Sequence, residues 1–267
     1  NFKKNSQPFA TITAYDYTSS SICNSLEFPL ILVGDSASMV MFGYDNTTPV
    51  TMDEMLLVLS AVVRGNNSSL IVADMPFLSY QPSKRDAVHN AGLFIKVGAN
   101  AVKLEGGREV ATKIDALIKS GIPVMGHLGL LPQSINAMSG YKIQGKHLKE
   151  ALKIYNDAIA LENAGVFSIV LEGVPQELAK IITEKVRVPT IGIGAGQCCD
   201  GQIQVFHDLV GFFDSRVPKH AKKYINNYNI IKDALKNYCK EVSNKKFPNQ
   251  KNSVAMNPEE LEKLKKN

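Results

Sequence analysis

Long hydrophobic runs are missing from this chain of 267 residues, and no apolar stretch approaches the roughly 18 residues of a membrane-crossing helix. No membrane partner is therefore expected. Cysteine is scarce: only Cys23, Cys198, Cys199 and Cys239 occur. None forms a Cys-x-x-Cys pair, and a vicinal pair such as Cys198-Cys199 rarely closes a disulfide. This predicts a reduced, intracellular, cytoplasmic protein without a zinc site. Blocks of like charge and basic runs interleaved with aromatics are also absent. The net charge of +5 is modest and comes in good part from the C-terminal tail, so no nucleic-acid partner is expected. The chain begins at Asn1 with no initiator Met. The reading is a processed or truncated N-terminus, with an organelle location after loss of a transit peptide as the alternative. Gly192, Gly194 and Gly196 lack the spacing, the following long helix and the acid of a dinucleotide fingerprint.

What the chain does have is a rhythm. Short apolar runs recur, each stopping at a charged residue or histidine. Leu30 to Gly34 stops at Asp35, Leu70 to Ala73 at Asp74, and Ala101-Val102 leads through Lys103-Leu104 to Glu105. Pro123 to Gly126 stops at His127, and Ser168 to Leu171 at Glu172. Enough chain for a helix lies between successive runs. Near-continuous apolar strands alternating with helices predict a parallel sheet buried on both faces. At this length the pattern predicts one (β/α)8 barrel over residues 1–243, with chemistry on the carboxyl rim, and a polar, Lys-rich tail over 244–267.

Further strands are expected at Phe9 to Ala14, Pro189 to Ile193 and, last, Leu209 to Phe213. Thr51 and Glu54 read as a capping box opening a helix whose buried face carries Met55, Leu56, Leu59 and Val63. Helices are also expected over about 83–97, 108–119, 148–163 and 221–242, and one from Pro175 to near Lys185. Two loops are long: Ser36 to Val50 and Gly129 to Lys146. Loops of that length in a compact barrel are usually lids or binding loops.

A single acid at a strand end is most often a loop cap or an ion-pair partner. Asp35, Asp74 and Glu105 at successive strand ends are better read as hard oxygen ligands. They suit Mg²⁺, which takes one or two carboxylates and fills its shell with water and substrate. Lys103 and Glu105 alternate along one strand and share a face. An inward Lys103 must find an anion, either a neighbouring carboxylate or a substrate carboxylate. His127 is a candidate acid, donor or ligand. Glu172 ends a strand away from the other three acids, a position that suits a base. Together these residues suggest a metal-held α-keto acid or enolate with a carboxylate base.

Several segments then become recognisable. Ala10 to Tyr17 (ATITAYDY), Val33-Gly34-Asp35-Ser36, Ala73 to Phe77 (ADMPF), Val102 to Gly107 (VKLEGG), Gly126 to Leu130 (GHLGL) and Ile191 to Gly196 (IGIGAG) resemble the ketopantoate hydroxymethyltransferase family. The resemblance runs in order from about Phe9 to Val242. It implies a (β/α)8 barrel of the phosphoenolpyruvate/pyruvate type, assembled as a homo-oligomer, often a decamer. It implies transfer of a one-carbon unit from 5,10-methylenetetrahydrofolate to 3-methyl-2-oxobutanoate, giving 2-dehydropantoate on the pantothenate pathway. By resemblance Asp35 and Asp74 hold Mg²⁺ and Glu105 assists. Asp35, Ser36, Asp74 and Lys103 contact the keto acid, His127 lines the pocket, and Glu172 is the base. The chain departs from the family pattern at Ala37-Ser38, at Ser139 and by one added residue between Ser79 and Ser83.

Two other readings compete. One is a related metal-dependent C–C lyase acting on a 2-oxo acid. Isocitrate lyase-like members use a lid-loop cysteine, and neither long loop here contains one. The other is a non-catalytic scaffold, which would need no acids at its strand ends.

Overall fold

Eight parallel strands pair in chain order, and the last pairs with the first, closing a barrel. The computed structural model describes Lys3 and residues 7–138, 140–214 and 218–267, so Ser139 lies outside the described residues. The strands are β1 (Phe9–Thr13), β2 (Leu30–Val33), β3 (Leu70–Asp74), β4 (Ala101–Glu105), β5 (Val124–Gly129), β6 (Ser168–Glu172), β7 (Thr190–Ile193) and β8 (Gly201–Gln204). The helices are α1 (Tyr17–Ser25), α2 (Ala37–Val40), α3 (Met52–Arg64), α4 (Lys84–Val97), α5 (Ala111–Lys119), α6 (Leu148–Asn163), α7 (Gln176–Lys185), α8 (Phe206–Val210), α9 (Asn227–Ser243) and α10 (Pro258–Lys265).

Local chemistry explains where the elements begin. Thr51 accepts from the Glu54 N–H at 3.2 Å while Glu54 accepts from the Thr51 N–H at 2.8 Å, closing the capping box that starts α3. That backbone bond holds the Glu54 carboxyl below its ordinary pKa. The buried stripe of α3 is Met55, Val58, Leu59 and Val62, so it lies slightly to one side of the expected face. Asp16 caps α1 in the same reciprocal manner with Ser19. The barrel interior is filled by Leu30, Leu32, Val72, Ala101, Met125, Val170, Ile191, Ile193 and Ile203. Each large member of that set contributes about 1.5–3 kcal/mol by leaving water.

One strand differs from expectation. Leu209 to Phe213 does not form the eighth strand; β8 is Gly201–Gln204, and α8 covers Phe206–Val210. Residues 194–200 join β7 to β8 with no helix between them. The apolar run was the stronger pattern, but the closing strand needs only Ile203 inside and a glycine at 201. An added Cβ at Gly201 would meet the Phe9 ring at 2.5 Å.

The chain divides into two compact units: Asn1–Leu209 with Val217–Lys222, and Val210–Arg216 with Lys223–Asn267. The barrel makes up the first. The second contains α9 and α10, and no residue of either helix is buried. Among the described residues no helix is long and apolar enough to cross a membrane.

Candidate active site

Strand parity and register place the chemistry. On β3, β4, β5 and β6 the interior residues Val72, Ala101, Met125 and Val170 share a face with Asp74, Lys103 and Glu105, His127 and Glu172. Parallel pairing then sets Asp74 beside Lys103, Glu105 beside His127, and Gly129 beside Glu172. Asp35 follows the end of β2 after Gly34. The other four strands include their polar residues rather than stopping before them.

The polar cluster is buried. Asp35, Asp74, Lys103, Glu105 and His127 are each at most 4% exposed, while the Glu172 side chain is 16% exposed. The Lys103 ammonium lies 2.9 Å from Asp74 Oδ1, 3.9 Å from Glu105 Oε1 and 3.0 Å from His127 Nδ1. The Asp35 N–H donates to Asp74 Oδ2 at 3.1 Å. Burial works against the Lys103 charge, but Asp74, Glu105 and Asp35 hold its pKa above the ordinary lysine range. Asp35 is pushed up to about 8, first by burial and then by the charge of Asp74. Burial also raises Glu105 well above its ordinary value, against the pull of Lys103.

His127 is fixed in one tautomer by its neighbours. An ammonium has no lone pair, so Lys103 donates to Nδ1 and the ring proton sits on Nε2. Nε2 lies 3.2 Å from Glu172 Oε2, out of line for a full hydrogen bond. Burial, then the Lys103 charge, lowers the His127 pKa and favours the neutral ring. The imidazole therefore stands between the acids and Glu172. Gly129 is required beside it: at φ +97°, an added Cβ would lie 2.1 Å from the Glu172 carbonyl oxygen.

Ser36 is half-buried, and its hydroxyl lies 2.7 Å from that of Tyr15. The structure thus brings Asp35, Asp74, Lys103, Glu105, His127 and Glu172 together, with Ser36 following Asp35. It also shows residues that strand-end reasoning passed over. Gln133, 4% exposed, donates from Nε2 to Asp35 Oδ2 at 2.9 Å, and its N–H donates to Glu105 Oε2 at 3.0 Å. The Tyr80 hydroxyl lies 3.1 Å from Gln133 Oε1 and accepts from the Glu105 N–H at 3.1 Å. The available signal was a polar side chain in the Leu131-Pro132-Gln133-Ser134 turn, a 3₁₀ turn at the start of a long loop. The two long loops meet at side chains: the Tyr141 hydroxyl donates to Met39 Sδ at 3.8 Å. Burial, then Asp35, Glu172 and Glu105, raises the Tyr141 pKa, so its hydroxyl feels the acid cluster.

Among the described residues no three His, Cys, Asp or Glu side chains stand together as a ready metal cage. The donor set nevertheless fits a divalent cation of the Mg²⁺ type. Three carboxyl groups, of Asp35, Asp74 and Glu105, surround one ammonium, and among the described residues the buried Glu105 Oε1 has no hydrogen-bond partner. Two carboxylates completed by water and substrate oxygens are what Mg²⁺ accepts.

A closed parallel barrel with acids and a buried lysine at the carboxyl ends of its strands defines a (β/α)8 barrel. In fold the chain is similar to phosphonopyruvate hydrolase (TM-score 0.61, 12% identity, covering 99% of this chain and 92% of that one). It is also similar to 2,3-dimethylmalate lyase (TM-score 0.59, 14% identity, 98% and 90% covered). The family model described as ketopantoate hydroxymethyltransferase matches residues 1–250, and the chain belongs to that family. It is 53% identical over 263 residues to the 3-methyl-2-oxobutanoate hydroxymethyltransferase of Carboxydothermus hydrogenoformans, with 98% of this chain and 95% of that one covered. To the protein of the same name from Nitrosopumilus maritimus it is 51% identical over 264 residues, with 99% and 95% covered.

Proposed function

We propose that this barrel transfers a hydroxymethyl group from 5,10-methylenetetrahydrofolate to C3 of 3-methyl-2-oxobutanoate, giving 2-dehydropantoate. The observation that supports the chemistry is the separation of one acid from the rest. Asp35, Asp74 and Glu105 crowd around Lys103, while Glu172 stands on the far side of a neutral His127.

In this reading Asp35 and Asp74 hold Mg²⁺, with Glu105 assisting. When bound, the cation would polarise the 2-oxo group and acidify the neighbouring C3–H. Lys103 attracts the carboxylate of the keto acid, and Ser36, steadied by Tyr15, orients the substrate beside Asp35. Glu172 takes the C3 proton, and His127 presents Nε2–H to it and steadies the carboxylate. The electron pair left on C3 then bonds to the methylene carbon of the folate, both carbon–nitrogen bonds of that carbon break, one water supplies the hydroxyl group, and tetrahydrofolate leaves carrying the protons. The exposed side chains of Met39, Phe42, Tyr44 and Tyr141 line the two long loops and suit the flat ring of a folate.

A homo-oligomer and a cytoplasmic setting accompany this reading. The related lyase reading is less favoured, because neither long loop supplies a cysteine. The test is turnover of the two substrates to 2-dehydropantoate. Turnover should disappear on exhaustive chelation and return with Mg²⁺. Full turnover after chelation would overturn the role of the cation, and no turnover under any condition would overturn the reaction.

A further inference from the structure

Gln133 is saturated. Nε2 donates to Asp35 Oδ2 at 2.9 Å and to the Met75 carbonyl at 2.8 Å. Oε1 faces the Tyr80 hydroxyl and Gln81 Nε2, each at 3.1 Å. The Met75 carbonyl only accepts, so it requires the amide nitrogen on its side whatever the protonation of Asp35, and this sets the orientation. The backbone N–H of the same residue donates to Glu105 Oε2 at 3.0 Å. One residue therefore engages an oxygen of Asp35, after β2, and an oxygen of Glu105, at the end of β4. Tyr80 completes the frame by bonding both the Glu105 backbone and Gln133.

The consequence is geometric. A carboxylate held at one oxygen keeps its plane and offers the other in a set direction. Glu105 Oε2 is taken by Gln133, and Oε1 is buried without a hydrogen-bond partner among the described residues. Asp35 has Oδ2 taken in the same way. Without the amide, Asp35 would be free to rotate toward Lys103, as Asp74 already pairs with it. Such a rotation would relieve charge while spoiling the site.

We propose that Gln133 is a positioning residue that presets the Asp35 and Glu105 carboxylates for a divalent cation. This rests on the cation reading given under Proposed function. Groups that orient metal ligands typically account for 10–100-fold in metal affinity.

The test is Mn²⁺ binding to the folded protein without substrates, followed by electron paramagnetic resonance and by titration calorimetry. Gln133→Met removes both amide groups at similar length. Gln133→Asn keeps the amide but withdraws it by one methylene, and serves if the methionine variant does not fold. Thermal melts without metal report any purely structural loss. The expected result is a 10–100-fold weaker Mn²⁺ affinity in the folded variant. A residue with only a packing role would lower the melting temperature and leave the Mn²⁺ affinity unchanged, and that outcome overturns the proposal. If the wild-type protein binds no Mn²⁺, the cation reading fails and this proposal fails with it. Binding by wild type with unchanged affinity in the variant sinks this proposal alone.

Discussion

Four carboxyl groups meet at one end of this barrel, but they live in two environments. Asp35, Asp74 and Glu105 are buried, share Lys103, and are oriented by Gln133 and by one another. Glu172 is more open to solvent and lies 3.2 Å from a neutral imidazole. When ionised, the first group carries an excess of negative charge that a divalent cation would neutralise, and burial without that cation raises the pKa of Asp35 and Glu105. The second carries one carboxylate with room to accept a proton. Residue type does not separate these roles; burial, countercharge and hydrogen-bond count do.

The sharpest way to break that comparison is to remove basicity from Glu172 alone. Glu172→Gln keeps the shape and removes the base. In D₂O with Mg²⁺ and the keto acid, but no folate, wild type should exchange the C3 proton for deuterium, followed by NMR. The variant should lose about 10²–10⁴-fold of that rate. Exchange at the wild-type rate would move the base to another group, with His127 next in line.

Lys103 tests the other side of the comparison. Its ammonium serves three acids and His127, so its replacement should loosen the acid cluster and remove the attraction for a substrate carboxylate. Loss of a charge-assisted contact costs about 1.5–3 kcal/mol, roughly tenfold to hundredfold in affinity. Lys103→Met should weaken keto acid binding by that much and folate binding far less, as measured by calorimetry. Equal affinity for the keto acid would assign Lys103 to the internal ion pair only.

Much of this site could be read before the fold was known, and the reason is periodicity. Apolar runs interrupted at Asp35, Asp74, Glu105, His127 and Glu172 carry both the strand pattern and the rim. Parity alone placed Lys103 and Glu105 on one face, and β4 has them there. The eighth strand was hidden because Gly201–Gln204 is half polar and follows β7 without a helix, so no pattern announced it. Gln133 was hidden for a different reason. It lies 98 residues from Asp35 and 28 from Glu105 in sequence, and its role exists only as a set of long-range hydrogen bonds. Tyr15 stood within a recognisable motif, but its contact with Ser36 spans two strand–loop junctions.

The smallest expected effect concerns stability and sharpens the contrast through pH. Asp35 is raised to about 8, so in protein stripped of divalent cations the folded state keeps a proton that the unfolded chain has already lost. Stability from this source should therefore fall as pH rises from the ordinary carboxylate range toward 8. His127 acts in the opposite sense. Its folded pKa is lowered, so its contribution is lost as pH falls below the ordinary 6.5. The window free of the His127 contribution is thus pH 6.5 to about 8, where Glu105, also raised, acts in the same sense as Asp35. Over that window the urea midpoint of metal-stripped wild type should decline more steeply than that of Asp35→Asn, which has no proton to lose there. Mg²⁺ should flatten the wild-type slope, because it stabilises the ionised carboxylate. Parallel slopes for the two proteins would mean that Asp35 is already ionised at neutral pH, and the contrast between the crowded acids and Glu172 would then rest on geometry alone.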